Sequence, residues 1–266
     1  MKVAVYDLDG KEAEKTELPV IFSYDYRPDL IQKAFYALRS HSIQRQGRDP
    51  MAGMRTSALS WNTGRGVARM ARVKGEGNSR AGQAGGVASV VHGRQTHHPV
   101  AEKIVYQNLN RKERRLALVS AIAATSNKDV VTARGHKVGN EATLPIIVND
   151  DIESVSKAKD LKTVLAKLKL EDELQRITNG KALSGTSRLR GRTRKQPVGP
   201  LIVVAEDKGI SNAAGGLPGI KAVLARNLST LDLAPGASAG RLTVWSKSAL
   251  SALPKPIYER VSVTAT

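Results

Sequence analysis

The sequence contains no cysteine. That excludes disulfides and Cys-ligated zinc or iron–sulfur centres, and it agrees with a reducing compartment. Long hydrophobic runs are missing too. No stretch approaches the roughly 20 apolar residues that a membrane span needs. The start, Met1-Lys2-Val3-Ala4-Val5-Tyr6-Asp7, lacks the basic-then-apolar order of a secretory signal. A cytoplasmic location with no membrane partner is expected. Acidic residues are in deficit: 24 Asp plus Glu face 42 Lys plus Arg, for a formal net charge of +18. The sequence pI is near 10.2. A chain so far from neutrality repels itself and attracts phosphate, so nucleic acid is the expected partner.

What is present divides by periodicity. Hydrophobic residues make up 41 % of the chain, enough for one core if part of the chain stays outside it. Residues 2–8 and 17–23 read as short extended stretches. Residues 29–45 read as a helix, with Leu30, Ile31, Ala34, Phe35 and Leu38 on one face. Asn110 with Glu113 three residues on resembles a capping box. It opens a helix to about Thr125 that turns Leu116, Val119, Ile122 and Ala123 inward. Residues 144–148 and 201–205 read as buried strands. Residues 156–170 form an amphipathic helix through Leu161, Val164, Leu165 and Leu168, and 241–253 read as a last strand-helix pair. Strands alternating with helices predict an α/β domain, an open and mostly parallel sheet covered by helices.

Between residues 46 and 98 this periodicity stops. Glycine recurs throughout, and the charges are almost all positive: Arg48, Arg55, Arg65, Arg69, Arg72, Lys74, Arg80 and Arg94, opposed only by Asp49 and Glu76. Structureless loops beyond about 15 residues are uncommon in compact domains unless they are functional or disordered. This segment has too little apolar surface to offset its own ordering entropy. It needs an external, anionic scaffold. Arginine offers a fork of donors to phosphate and stacks on bases. Trp61 lies where no core is expected, as a base-stacking platform would. Some 50 residues doubled back could reach roughly 80 Å, about twice the width of a 200-residue domain. The expected division is therefore a globular domain of residues 1–45 and 99–266, with a long RNA-penetrating loop at 46–98.

A second basic stretch, Arg188-Leu189-Arg190-Gly191-Arg192-Thr193-Arg194-Lys195, places arginines at every second position. In an extended chain they would share one face at about 6.6 Å spacing and could follow a phosphate backbone. The bland alternative is a solvated linker. His92, His97 and His98 do not have metal-site spacing. Contact with RNA is the expected use of His97, and no metal or cofactor is expected. Gly77 to Gly82 has phosphate-loop spacing but is followed by Gln83-Ala84 rather than Lys and Ser or Thr. Asp150 and Asp151 after a strand are read as a turn rather than a catalytic pair.

The order of motifs now carries a resemblance. Trp61-Asn62-Thr63-Gly64-Arg65-Gly66 leads to Arg72 and to Arg80-Ala81-Gly82-Gln83-Ala84-Gly85-Gly86. His92-Gly93-Arg94-Gln95-Thr96-His97-His98-Pro99 and Leu109-Asn110-Arg111-Lys112-Glu113-Arg114-Arg115 follow. This series resembles the universal ribosomal protein four family of the large subunit. Leu233-Ala234-Pro235-Gly236 and Gly240-Arg241-Leu242-Thr243-Val244-Trp245-Ser246 resemble its archaeal and eukaryotic branch. The missing lysine-rich tail points to the archaeal side.

The resemblance implies a three-layer α/β domain and a loop threaded through large-subunit ribosomal RNA. It also implies a tip at Gly64, Arg65, Gly66, Arg69 and Arg72 in the wall of the peptide exit tunnel. The implied partners are ribosomal RNA, neighbouring ribosomal proteins and the nascent peptide. The expected role is structural, in subunit assembly, with no catalytic residue. The competing reading is an RNA-modifying or nucleotide-dependent enzyme on an α/β scaffold, which would need convergent polar groups at strand ends.

Overall fold

The computed structural model describes residues 2–139 and 143–253. The remaining positions of the expected globular domain, 1, 140–142 and 254–266, lie outside the described residues. The chain divides into two units, one of residues 1–39 and 107–266 and the other of residues 40–106.

The larger unit begins with a hairpin. Strand β1 (Lys2–Tyr6) pairs antiparallel with β2 (Glu12–Glu17). Gly10 turns between them with φ +77°, a conformation glycine adopts without steric cost. Helix α1 (Pro28–Ser40) follows. Strands β3 (Leu59–Ser60) and β4 (Ala71–Arg72) belong to the smaller unit. Helices α2 (Arg111–Ala124) and α3 (Lys128–Ala133) lead to β5 (Ile146–Val148). Then come α4 (Ala158–Lys167), α5 (Glu171–Thr178), β6 (Lys181–Ala182), α6 (Thr186–Leu189) and β7 (Arg194–Lys195). The rest runs β8 (Leu201–Val204), α7 (Ile210–Gly215), β9 (Lys221–Leu224), α8 (Thr230–Leu233), β10 (Thr243–Ser246) and α9 (Lys247–Ser251).

Six strands form one sheet in the order β2-β1-β5-β10-β8-β9. Every pairing except β1 with β2 is parallel. Because side chains alternate along a strand, each strand feeds both faces. Val3, Val5, Ile147, Leu201, Val203 and Trp245 pack on one side, with Ile31, Val119, Ile122 and Leu233 from the covering helices. Ile146, Val148, Ile202, Val204 and Val244 pack on the other, with Leu161, Leu165, Ile177 and Ile210. Burial on both faces explains why β5 and β8 are continuous apolar runs. This is the expected three-layer α/β domain with a mostly parallel sheet. β2, at one edge, carries Glu12, Glu14, Lys15 and Glu17, the kind of charge that discourages further strand pairing.

Three local expectations are corrected. Residues 17–23 are not a strand: β2 ends at Glu17, and Val20–Ser23 form a 3-10 turn. Pro19 cannot donate to a ladder, and the turn inserts Phe22 edge-on against Trp245 at a ring distance of 5.4 Å. Helix α1 stops at Ser40 rather than Arg45. Asn110 does precede α2 in an extended conformation, but its side chain makes no capping bond. Glu113 instead accepts from Lys33 of α1 at 2.8 Å. The reciprocal capping box occurs at Ser229 and Asp232, ahead of α8.

Candidate nucleic-acid interface

In the unit of residues 40–106 the chain returns close to its starting point. The His41 ring stacks on Tyr106, and the Arg45 guanidinium lies over the same ring at 5.1 Å. The Arg48 amide donates to the Pro99 carbonyl at 2.9 Å. These contacts make a stem at the base of this unit.

Within this unit the chain is locally ordered. β3 and β4 pair antiparallel, and Arg72 bridges to Ala84 on its other side. Val73 and Gln83 extend that ladder through a backbone hydrogen bond of 2.9 Å. Gly85 is buried, and a β-carbon there would sit 3.0 Å from the Val73 side chain. Close backbone approach is what this glycine permits. The expectation that Trp61 stands without packing is corrected. It is half-buried, faces Gly82, and has Arg65 and Arg72 over its ring at 5.5 and 5.6 Å. Each such cation–π contact contributes on the order of 0.5–1 kcal/mol near a surface.

The sequence-predicted residues therefore fall into groups. Trp61, Arg65 and Arg72 come together, and Arg72 also donates to the Gly82 carbonyl at 2.9 Å. The Arg72 Nε is buried and has no hydrogen-bond partner among the described residues. Arg80 ties its guanidinium to the Val91 carbonyl at 2.6 Å, and Arg48 to the Gln95 side chain at 2.7 Å. Arg55 pairs with Asp49, an exposed contact that an incoming phosphate can replace at small cost. Arg69, Lys74, Arg94 and His97 are exposed. Gly64 and Gly66, with φ +92° and +66°, have open space where a side chain would be.

The second basic stretch is folded differently from expectation. β6 and β7 pair antiparallel, and Thr186–Leu189 form a helical turn at the end of the hairpin. Arg188 lies in that turn, Arg190 follows it, and Gly191 reverses the chain with φ +79°. The one-faced row is therefore broken: only Arg194 and Lys195 lie in a strand. Arg188, Arg190, Arg192, Arg194 and Lys195 are nonetheless all exposed, and none forms an ion pair among the described residues.

Polar contacts tie together the ends of β5, β8 and β10. Asp150 opens a 3-10 turn and accepts from the Ser248 amide at 2.7 Å. Buried Glu153 accepts from the Ser246 hydroxyl and the Ala205 amide. Among the described residues no group of three or more His, Asp or Glu could hold a metal ion, and no helix is long and apolar enough to cross a membrane.

Comparison with known proteins identifies the family. Residues 16–255 match the model of the ribosomal protein L4/L1 family. The chain belongs to this family. A large ribosomal subunit protein uL4 of Methanosphaera stadtmanae is 42 % identical over 253 residues, covering 95 % of this chain and 96 % of the relative. The uL4 of Sulfurisphaera tokodaii is 41 % identical over 264 residues, covering 98 % and 97 %. That of Methanococcus vannielii is 42 % identical over 254 residues, covering 95 % and 98 %. The matched residues of the L4/L1 family span both units and the basic hairpin.

Sequence reasoning missed one polar cluster of this L4/L1 domain. Glu173 in α5 is fully buried and accepts from Arg176 Nε and Nη2, both at 2.7 Å, from the Lys137 amide at 2.9 Å, and from His136. Arg134, at the end of α3, donates to the Pro235 carbonyl at 2.7 Å. The spacing of Glu173 and Arg176 was the one available signal, and such pairs are common on solvated helices.

Proposed function

We propose that this chain is a structural constituent of the large ribosomal subunit. In this reading it binds 23S-type ribosomal RNA through the unit of residues 40–106 and the β6–β7 hairpin. Membership of the L4/L1 family supports the ribosomal part. The observation that carries the RNA part is the unit's charge: Arg65, Arg69, Lys74 and Arg94 are exposed and have no carboxylate partner among the described residues. Each such cation gains most where it displaces counterions from a phosphate backbone. The glycines at 64 and 66 leave the backbone bare, which suits close approach to a base or ribose.

The tip at Gly64, Arg65, Gly66, Arg69 and Arg72 is proposed to line the peptide exit tunnel, where the nascent chain would be its neighbour. Arg65 and Arg72 are held by Trp61, whereas Arg69 is exposed. A photoreactive residue at position 65 or 69 in assembled subunits with a stalled nascent chain tests this. Crosslinks to the nascent chain are expected from position 69 at least. Crosslinks to RNA alone, from both positions, would remove the tip from the lumen.

A further inference from the structure

The larger unit contains a cleft of about 540 Å³, distinct from the unit of residues 40–106. Its wall includes Tyr26, Arg134, His136, Arg176, Val198 and Ser238. Two guanidinium groups border it, and they are compensated very differently. Arg176 shares both oxygens of Glu173. Arg134 faces no carboxylate among the described residues: its hydrogen bonds go to the carbonyls of Pro235 and Ala239. Burial lowers the Arg134 pKa, and the positive charge of Arg176 lowers it further. His136 does not supply more charge, because burial lowers its pKa as well. Among the described residues one positive charge is thus left unbalanced in a partly desolvated site, an arrangement that favours an anion.

Donors are left over to receive that anion. Arg176 Nη1 makes no hydrogen bond among the described residues, nor do Arg134 Nε, the Ser238 hydroxyl or the Tyr26 hydroxyl. Guanidinium forks match tetrahedral oxyanions well. The cleft also stands at the foot of the basic hairpin. The chain leaves the cleft wall at Arg176, runs out through β6, turns at Arg188–Arg190, returns along β7, and rejoins the wall at Val198. A polyanion lying along Arg188 to Lys195 is thereby led toward Arg134.

We propose that this cleft is a phosphate-binding site that takes a backbone phosphate of RNA on Arg134 and Arg176. It deepens the ribosomal RNA reading above and rests on it for the source of the phosphate. Free phosphate compounds share the chemistry, so the test has two arms. The chains compared are the unaltered protein, Arg134→Gln and Ser238→Asp. Ser238 is exposed, so Ser238→Asp keeps every Arg134 bond while supplying an internal carboxylate.

In the first arm the thermal midpoint is followed as inorganic phosphate replaces chloride at constant ionic strength. The midpoint of the unaltered protein is expected to rise with phosphate, and those of both variants to stay level. Ser238→Asp is also expected to raise the midpoint in chloride alone. Equal phosphate responses in all three chains would overturn the site. Should Arg134→Gln fail to fold, Ser238→Asp decides alone.

In the second arm, binding to large-subunit ribosomal RNA is measured from about 50 to about 200 mM salt. Each variant is expected to lose the contribution of one phosphate, roughly 0.7–0.9 in the slope of log K against log salt. An unchanged slope with a lost phosphate response would overturn the assignment to RNA and leave a site for free phosphate compounds. Failure of the unaltered protein to bind this RNA would contradict the ribosomal reading instead. The first arm contains no RNA and still judges the site.

Discussion

His136 Nδ1 and Glu173 Oε1 meet at 2.6 Å inside the larger unit, with side chains 2 % and 0 % exposed. Burial alone would raise the Glu173 pKa. The hydrogen bonds from Arg176, His136 and the Lys137 amide outweigh it and hold this carboxyl down at about 2. His136 is shifted down because burial outweighs the pull of Glu173. The pair is therefore a neutral imidazole donating to a carboxylate.

Both shifts give the same dependence on pH. A folded pKa below the unfolded one means that the unfolded chain binds protons first, so stability falls on acidification. The His136 contribution begins to fade below about pH 6.5. The Glu173 contribution fades below its ordinary 4.5 and is lost as pH falls through about 2. Denaturant melts between pH 7 and pH 3 should show both stages, and Glu173→Gln should remove most of the second. At pH 7 the same variant leaves Arg176 without its carboxylate and should cost about 3 kcal/mol, the lower end for breaking a buried pair, because Arg176 keeps some exposure. A variant as stable as the unaltered chain at pH 7 would show that the cluster is not a stabilising network.

Replacing Arg188, Arg190, Arg192 and Arg194 together by Gln should flatten the salt dependence of ribosomal RNA binding. Each phosphate that the chain no longer neutralises takes roughly 0.7–0.9 from the slope. These residues are exposed, so the melting midpoint should barely move. The breaking of the row by Gly191 implies that the four arginines do not follow one strand of phosphates. A change smaller than the share of a single phosphate would mean that the hairpin is only solvated.

Trp61→Ala should separate the small unit from the large one. The core residues of the sheet all come from residues 2–39 and from positions beyond 110, so the domain should melt within about 0.5 kcal/mol of the unaltered chain. Arg65 and Arg72 lose the ring that holds them. Trypsin should then cut the free protein faster at Arg65, Arg69 and Lys74, and ribosomal RNA should restore protection. Unchanged cleavage in free Trp61→Ala would show that the ring does not organise this segment.

The fold was readable where side-chain burial imposes a period. Ile146 to Val148 and Leu201 to Val204 are buried on both faces and read as apolar runs, and Leu161, Val164, Leu165 and Leu168 mark α4 by helical spacing. The short pieces were not readable. β9 is only partly buried, and α3 and α7 are six residues each, too short to display a period. The turn at Phe22 was hidden because its partner, Trp245, is far away in sequence. The basic residues were visible as composition, but their grouping was not. That Trp61 collects Arg65 and Arg72 depends on the pairing of β3 with β4, strands of two residues each. Arg134 carried no signal, because what distinguishes it is that no carboxylate among the described residues lies near it in space.

In the proposed function this chain works as a part of the large subunit, held there by RNA. Sedimentation of the tagged full-length chain through a sucrose gradient, with and without ribonuclease treatment, tests it most directly. The chain is expected to travel with large subunits and to leave that position when the RNA is digested. A chain that stays at the top of the gradient in cells with intact subunits, or one whose position ignores ribonuclease, would contradict the claim.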